Sequence, residues 1–158
     1  MSIHNKPQLK RFLAAEADTL ALGAALAGGL RAGMVIYLRG DLGAGKTTLA
    51  RGVLRALGVT ERIKSPTFSL VEPYIVSRLY LYHFDFYRFK SSEEWKDAGL
   101  REYFNGDSVC LVEWPEKAGG QLPAADVRIA MAVDGSGRSV AISADTEAGR
   151  NCLKQLHD

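Results

Sequence analysis

Residues 40–47 are the segment of this sequence whose residue types and spacing most clearly specify a chemistry. They match the pattern Gly-x-x-x-x-Gly-Lys-[Ser/Thr] at every fixed position. Glycines let the backbone turn so that successive N–H groups point at one anion, and the helix expected from Lys46 directs its positive dipole end at the same anion. The segment therefore predicts a phosphate-binding loop, with Lys46 over the β- and γ-phosphates of a nucleotide and the Thr47 hydroxyl on Mg²⁺.

A loop of this kind needs a second acidic group near Mg²⁺, usually at the end of a neighbouring buried strand. The apolar run 109–112 is followed directly by Glu113, in front of Trp114 and Pro115. A strand that ends there brings the carboxylate to the carboxyl edge of the sheet, where nucleotides bind. We therefore favour a metal ligand over a solvent-exposed strand-end carboxylate as the interpretation of Glu113.

Residues 83–88 alternate between aromatic and polar side chains. Phe84 and Phe86 are expected to face the core, whereas His83, Asp85 and Tyr87 share the other face. By periodicity alone, a functional site and an ordinary surface strand fit this pattern equally well. In a site, Asp85 would orient an attacking water or reach the outer shell of the metal. His83 is expected to pack or hydrogen-bond rather than ligate a metal, because no second histidine lies at ligand spacing.

Ser65-Pro66-Thr67 admits two interpretations that the sequence alone does not separate. It is either a plain turn or a switch in which the Thr67 hydroxyl senses the γ-phosphate. The base is better constrained, because the guanine-reading element Asn-Lys-x-Asp is absent: the Asn-Lys pair at residues 5–6 is followed by Pro-Gln. ATP is therefore expected rather than GTP.

The composition is that of one ordinary globular domain, with 158 residues, 47% hydrophobic and 24% charged. A net charge of +2 is small for a dedicated nucleic-acid binder, so contact with RNA is expected mainly through a partner. Neither a signal peptide nor a membrane-length apolar run is evident, and two cysteines are too few for a disulfide framework. We expect a cytoplasmic protein without membrane contact, with Cys110 buried as a small hydrophobe.

Segments of different type alternate along the chain, which predicts an α/β fold. Hydrophobic periodicity and turn residues predict the following elements in the first half: a helix over Glu16–Leu30 with a stop at Gly33, a strand over Met34–Leu38, and a helix from Lys46 to Leu57 capped by Gly58.

The second half begins with an aromatic, β-branched region. The same signals predict these elements: a hairpin of Phe68–Val76 and Leu79–Tyr87 with a break at Ser77-Arg78, a short helix capped by Ser91 or Ser92, a strand over Val109–Val112, a hairpin of Val127–Val133 and Ser139–Ser143, and a final helix to Leu156.

Four motifs in this order resemble the bacterial ATPase family of tRNA threonylcarbamoyladenosine biosynthesis, called TsaE or YjeE. They are residues 40–48, Lys64–Phe68, His83–Arg88 and Leu111–Pro115. The loop is generic, but its combination with the other three is specific. The resemblance spans nearly the whole chain and includes these weaker matches: Glu16, Thr19, Gly23 and Gly137-Arg138. The departures are small: Phe86 and Trp95 stand where the family more often has leucine.

The resemblance implies a single-domain P-loop NTPase over residues 1–158, with a mixed, mostly parallel central sheet, flanking helices and antiparallel hairpin additions. It implies Mg²⁺-dependent ATP hydrolysis, weak alone and stimulated by partners. The implied partners are a threonylcarbamoyl-transferase subunit and its inactive paralogue, which modify adenosine 37 of ANN-decoding tRNAs. The ATP cycle would support turnover of that complex rather than transfer the carbamoyl group.

The resemblance also implies roles for individual residues. Lys46, Asp85 and Glu113 are implied to be catalytic, and Thr47 and Glu113 to bind the metal. Glu16 and Arg138 would lie near the base or ribose. The residues implied to contact the nucleotide are Gly40, Asp41, Gly43, Ala44, Gly45, Lys46, Thr47, Thr48, Glu16, Trp114 and Arg138.

Two other functions stay open. A small-molecule kinase would use the same loop, but such kinases usually need an arginine-rich lid, and no such cluster is evident. A nucleotide-gated binding module with negligible turnover would use ATP to order residues 65–88 for a partner. Phosphate release, measured alone and with the partner subunits, would separate the module from the ATPase.

Overall fold

Within residues 8–76 and 79–156, which the computed structural model describes, the chain forms one seven-stranded sheet. The strands are β1 (Leu9–Leu13), β2 (Val35–Arg39), β3 (Val71–Val76), β4 (Leu79–Asp85), β5 (Ser108–Glu113), β6 (Val127–Asp134) and β7 (Gly137–Ala144). Their order across the sheet is β1-β7-β6-β2-β5-β4-β3. The central strands β6, β2, β5 and β4 are parallel, and the outer strands pair antiparallel. The predicted mixed α/β sheet with hairpin additions is confirmed.

Helices and short 3₁₀ turns flank this sheet. They are α1 (Glu16–Ala27), α2 (Lys46–Ala56), α3 (Glu93–Asp97) and α4 (Glu147–Leu153), with 3₁₀ turns over Arg101–Tyr103, Pro115–Gln121 and Lys154–Leu156. Helices α1 and α2 pack closely because Gly23 and Gly52 lie at their contact. A Cβ atom at either glycine would overlap a backbone carbonyl oxygen of the other helix. This close packing fixes the start of α2 relative to the start of α1.

The two faces of the sheet carry different cores. On the face of α1 and α2 the buried residues are mainly aliphatic, such as Leu26, Leu38 and Leu49. On the opposite face, around α3, they are mainly aromatic: Phe84, Phe86, Phe89 and Trp95. The predicted core positions of Phe84 and Phe86 are confirmed, and so is the burial of Cys110. Central strands buried on both faces read as continuous apolar runs, which is how the sequence reveals them.

Several predicted boundaries are wrong. Helix α1 ends at Ala27 rather than Leu30, because consecutive glycines at 28 and 29 follow, and Gly33 instead leads into β2. Strand β3 begins at Val71 rather than Phe68, since Leu70 has a left-handed backbone with φ of 72°. Strand β4 ends at Asp85, before Tyr87. The predicted break at residues 77–78 lies outside the described residues.

The predicted ends of two other helices are found in position but differ in detail. Ser92 occupies the N-cap position of α3 without a side-chain hydrogen bond. The Glu94 carboxylate accepts instead from the backbone N–H groups of Lys90 and Ser91. The last helix stops at Leu153 and continues as a 3₁₀ turn to Leu156. None of the helices in residues 8–76 and 79–156 has the length and apolar character that a bilayer crossing requires.

Candidate nucleotide-binding site

The loop between β2 and α2 has the backbone that its glycines predict. Gly40 has φ of 148°, and a Cβ atom there would overlap the Met131 carbonyl oxygen. Gly45 caps α2 in a left-handed conformation with φ of 104°. Helix α2 starts at Lys46, as predicted, so the amides of its first turn have no partner within the helix. The loop therefore offers free N–H groups and a positive dipole end to an anion.

Lys46 is a buried cation at the start of α2, with 4% of its surface exposed. Its Nζ donates to the Gly40 carbonyl oxygen and lies 3.8 Å from the centroid of the Trp114 ring. No salt bridge of Lys46 is found among the described residues. Burial lowers its pKa, and the negative charges of Glu113 and Asp85 partly offset that effect. A buried ammonium group without a paired carboxylate fits a site for an anionic ligand.

Glu113 ends β5 next to the start of α2 and is 2% exposed. The Thr47 hydroxyl lies 3.0 Å from Glu113 Oε2 and 3.2 Å from Oε1. On the other side, His83 Nε2 lies 2.7 Å from the same Oε2. Glu113 is therefore a buried carboxylate held by two side chains, not a solvent-exposed strand end. The expectation that His83 forms a hydrogen bond is confirmed.

Asp85 ends β4 directly beside Glu113, because the two residues pair in the parallel register of β4 and β5. Asp85 Oδ2 accepts from the Thr67 hydroxyl at 3.1 Å, and Oδ1 accepts from the Tyr87 N–H at 2.9 Å. Burial raises the pKa of Asp85 above its usual range, and the nearby Glu113 carboxylate raises it further. The hydrogen bonds from Tyr87 and Thr67 act in the opposite direction.

Trp114 follows β5 in a left-handed conformation with φ of 58°, which a residue other than glycine adopts only at some cost. Besides the ammonium group of Lys46, its ring contacts the ring of Tyr87, at a centroid distance of 5.0 Å. The strained turn thus places an aromatic side chain beside the loop lysine. Trp114 lies next to the site, as the resemblance implied.

These groups surround one cavity of about 350 Å³. The predicted residues that line it are Glu16, Gly43, Ala44, Gly45, Lys46, Thr47, Thr48, Asp85, Glu113, Trp114 and Arg138. Gly40 and Asp41 lie outside the lining: the Gly40 carbonyl contacts Lys46, and the Asp41 carbonyl accepts from the Ala44 N–H at 3.1 Å. Thr67 also lines the cavity, so the structure brings the Ser-Pro-Thr segment to the site.

One wall of the cavity was largely missed by sequence reasoning. It includes Leu13, Ala14, Ala15 and Ser136, which flank the expected Glu16 and Arg138. Arg138 Nε donates to the Gly43 carbonyl oxygen at 3.1 Å and so connects the β6–β7 hairpin to the loop. The missed residues are small or apolar and carry no chemical signal, and β1 itself was not predicted.

The oxygen atoms at the inner end of the cavity fit Mg²⁺. This ion takes oxygen ligands, typically one or two carboxylates together with nucleotide phosphates and water. The Thr47 hydroxyl and the Glu113 carboxylate supply neighbouring oxygens at the start of α2. No cluster of three or more His, Cys, Asp or Glu suited to a metal is found in the described part of the chain. The donor set therefore suits a cation shared with a phosphate better than an all-protein zinc site.

Comparison with known proteins gives consistent matches. Residues 13–140 match the family model of the threonylcarbamoyl adenosine biosynthesis protein TsaE. The tRNA threonylcarbamoyladenosine biosynthesis protein TsaE of Haemophilus influenzae is 46% identical over 120 residues, 76% of each chain. Its counterpart in Treponema pallidum is 41% identical over 116 residues, 73% of this chain and 85% of the relative. The crystal structure of YdiB from Bacillus subtilis matches with a TM-score of 0.78 and 32% identity, covering 94% of this chain and 93% of that one.

Proposed function

Because the chain belongs to the TsaE family, we propose that it binds and hydrolyses ATP with Mg²⁺ as the ATPase component of tRNA threonylcarbamoyladenosine biosynthesis. One observation carries the ATP part of the proposal: the buried ammonium of Lys46 faces a cavity bounded by a phosphate-binding loop on one side and two carboxylates on the other. A triphosphate would supply the negatively charged partner that the Lys46 ammonium lacks among the described residues.

The inner end of the cavity would hold the phosphates. The amides at the start of α2 and the Lys46 ammonium would bind the phosphate oxygens. Thr47 and Glu113 would hold Mg²⁺, which when bound neutralises charge on the phosphates. Lys46 and Glu113 are already buried before ATP binds, so water is largely excluded from these two charges.

Asp85 would orient the attacking water. Its carboxylate lines the same cavity as Lys46 and is held by the Thr67 hydroxyl and the Tyr87 N–H. A raised pKa makes it a stronger base than an exposed aspartate once it is ionised. The hydrogen bond from Thr67 to Asp85 also supports the switch interpretation of residues 65–67. Through this bond, Asp85 would transmit the presence of the γ-phosphate to the loop.

The outer end of the cavity would hold the base and ribose, between Glu16 at the start of α1 and Arg138 in the β6–β7 hairpin. The proposal includes the whole chain, residues 1–158, as one P-loop ATPase domain, since a single sheet takes strands from Leu9 to Ala144. A place in tRNA modification also argues for the cytoplasm as its compartment.

Exposed apolar side chains near the cavity favour a partner-stimulated ATPase. Leu42 in the loop is 63% exposed, and Phe68, which follows the cavity-lining Thr67, is 82% exposed. In this proposal these two side chains belong to the surface that a partner covers. In this proposal the partners are a threonylcarbamoyl-transferase subunit and its inactive paralogue, and tRNA contact is mostly theirs.

The deciding experiment measures phosphate release by the isolated protein and by the protein with both partner subunits. The expected result is phosphate release that the partners stimulate and that Asp85→Asn slows by about 100-fold or more, with ATP binding retained. Tight ATP binding without phosphate release in any mixture would favour the nucleotide-gated binding module. Absence of ATP binding by the folded protein would overturn the proposal as a whole.

A further inference from the structure

His83 is a fully buried polar side chain that the proposed ATPase chemistry does not use. It is 0% exposed, and its Nε2 atom lies 2.7 Å from Glu113 Oε2. Its Nδ1 atom is buried and has no hydrogen-bond partner among the described residues. Buried polar atoms are nearly always paired, so a histidine with one strong contact and one unpaired nitrogen requires an explanation.

We infer that His83 is a positioning residue that holds the Glu113 carboxylate in the orientation in which it binds Mg²⁺. The inference rests on the metal role of Glu113 in the proposed function. Hydrogen bonds from neighbouring side chains orient metal ligands in this way, and their loss typically costs about 10–100-fold in metal affinity. His83 itself touches neither the nucleotide nor the metal in this assignment.

The register of the sheet explains why residue 83 can perform this role. In the parallel pairing of β4 and β5, His83 lies opposite Leu111, two residues before Glu113. Diagonal neighbours of this kind share a face of the sheet and are within reach of long side chains. Asp85, two residues further along β4, lies opposite Glu113 itself. The alternation of residues 83–85 thus places a supporting side chain behind the pair of cavity carboxylates.

The hydrogen bonds at Glu113 define what His83 contributes. Oε2 contacts both His83 Nε2 and Thr47 Oγ1, whereas Oε1 has Thr47 as its one hydrogen-bond partner among the described residues, at the longer distance of 3.2 Å. Two donors on one oxygen restrict rotation of the carboxylate and leave Oε1 with fewer partners. Because a carboxylate only accepts, Nε2 must carry the hydrogen.

Two substitutions that introduce the same amide group on side chains of different length test this inference. The amide nitrogen of glutamine is as many bonds from Cβ as Nε2, so His83→Gln retains a donor for Glu113. His83→Asn places its amide nitrogen at the position of Nδ1, too short to reach Glu113. Binding of a non-hydrolysable ATP analogue is measured by calorimetry with and without Mg²⁺, and the gain in affinity from Mg²⁺ is compared among the variants.

In His83→Asn, we expect the gain in analogue affinity from Mg²⁺ to be smaller by about tenfold or more, while the Mg²⁺-free affinity stays unchanged. His83→Gln should retain most of the gain. If His83→Asn keeps the whole gain, the inference is wrong. If His83→Gln loses as much as His83→Asn, the residue acts by packing, and the inference is equally wrong.

Glu113→Gln separates this inference from the proposed function. Suppose that Mg²⁺ no longer raises analogue affinity in Glu113→Gln but still raises it fully in His83→Asn. That result would leave the metal role of Glu113 intact and overturn only the role of His83. Unmodified protein that binds the analogue equally well with and without Mg²⁺ would overturn both.

A spectroscopic measurement on the unmodified protein does not depend on whether a variant folds. The chain has three histidines, so ¹⁵N spectra of its imidazole groups are simple to assign by through-bond correlations. We expect the hydrogen of His83 on Nε2. A hydrogen found on Nδ1 alone would overturn the inference.

Discussion

The cavity has two walls that differ in burial and in hydrogen bonding. The inner wall consists of Lys46, Thr47, Asp85 and Glu113, in which every ionisable group is buried and each carboxylate accepts at least two hydrogen bonds. The outer wall consists of Glu16 and residues 136–138, in which Glu16 is exposed and the Arg138 guanidinium donates to backbone carbonyl oxygens.

This difference follows from the topology. The inner wall lies where the parallel strands β2, β5 and β4 end together, so its side chains are fixed by the register of the sheet. The outer wall comes from the start of α1 and from a hairpin turn, both at the surface. Charges act strongly in a buried, preorganised site and weakly where water screens them. We therefore expect substitutions in the inner wall to have large effects and those in the outer wall to have small ones.

The largest effect is expected for Lys46→Ala. Loss of the buried ammonium removes the charge that faces the phosphates, so affinity for ATP should fall by about 100-fold or more, in line with the loss of one preorganised donor. The fold should survive, because the other loop contacts come from the backbone. Calorimetric ATP titration and thermal unfolding check both expectations.

A matched control for Lys46→Ala is Lys117→Ala. Lys117 also lies near the Trp114 ring, at 6.0 Å from its centroid, but it does not line the cavity. We expect ATP affinity to change little in this control. Equal ATP binding by Lys46→Ala and the unmodified protein would remove the basis for a strong inner wall.

The second effect is expected at Glu113. Glu113→Gln keeps the size of the side chain and removes its charge, so the gain in nucleotide affinity from Mg²⁺ should fall by at least about tenfold. Mg²⁺-free affinity should change little, because the loop amides and Lys46 remain. Nucleotide titrations over a range of Mg²⁺ concentrations measure this. Curves that overlay those of the unmodified protein would make Glu113 a strand terminus without a metal role.

Asp85→Asn should act on turnover rather than on binding. If Asp85 orients the attacking water, its loss should reduce partner-stimulated phosphate release by about 100-fold or more, with ATP affinity retained. Single-turnover phosphate release and calorimetry separate the two effects. A substitution that weakens ATP binding without slowing release from the bound state would place Asp85 among the binding residues instead.

Asp85→Asn is also expected to raise the free energy of unfolding, by an amount that depends on pH. Burial raises the pKa of Asp85, so the folded protein holds this proton more tightly than the unfolded chain. Asp85 therefore makes its full contribution to the free energy of unfolding at pH values below the usual aspartate range. This contribution is lost as pH rises through the raised pKa. Asp85→Asn should stabilise the protein at neutral pH relative to the unmodified chain, and the difference should disappear in acid. Denaturant unfolding at several pH values tests this.

The inner wall was largely predictable from the sequence, because each part of it is marked locally. The loop residues follow a fixed pattern, and Glu113 and Asp85 stand at the ends of apolar or aromatic runs. Strand order was not encoded in these local signals. That β4 and β5 are neighbours, and that His83 therefore reaches Glu113, depends on long-range pairing that one sequence does not reveal. The assigned roles of these residues stay predictions.

The outer wall was harder to predict for a physical reason. Strand β1 has no clear alternation, because Lys10 and Arg11 are adjacent, and its stability comes from pairing with β7 far along the chain. Leu13 lines the cavity only because of that pairing. The late hairpin was predicted correctly, since its turn at residues 134–137 is a local signal. Its position beside the phosphate-binding loop is again a long-range property.

The smallest effect is expected for Arg138→Ala, which probes the outer wall directly. Arg138 is partly exposed, and its bond to the Gly43 carbonyl oxygen can be replaced by water, so ATP affinity should fall only about threefold, within the range of about 0.2–1 kcal/mol typical of exposed charged contacts. Because Arg138 is assigned to the base or ribose rather than to the γ-phosphate, affinities for ATP and ADP should fall equally. Parallel titrations with both nucleotides measure this. A loss as large as that of Lys46→Ala would mean that nucleotide binding buries Arg138, and the two walls would then differ only in the empty state.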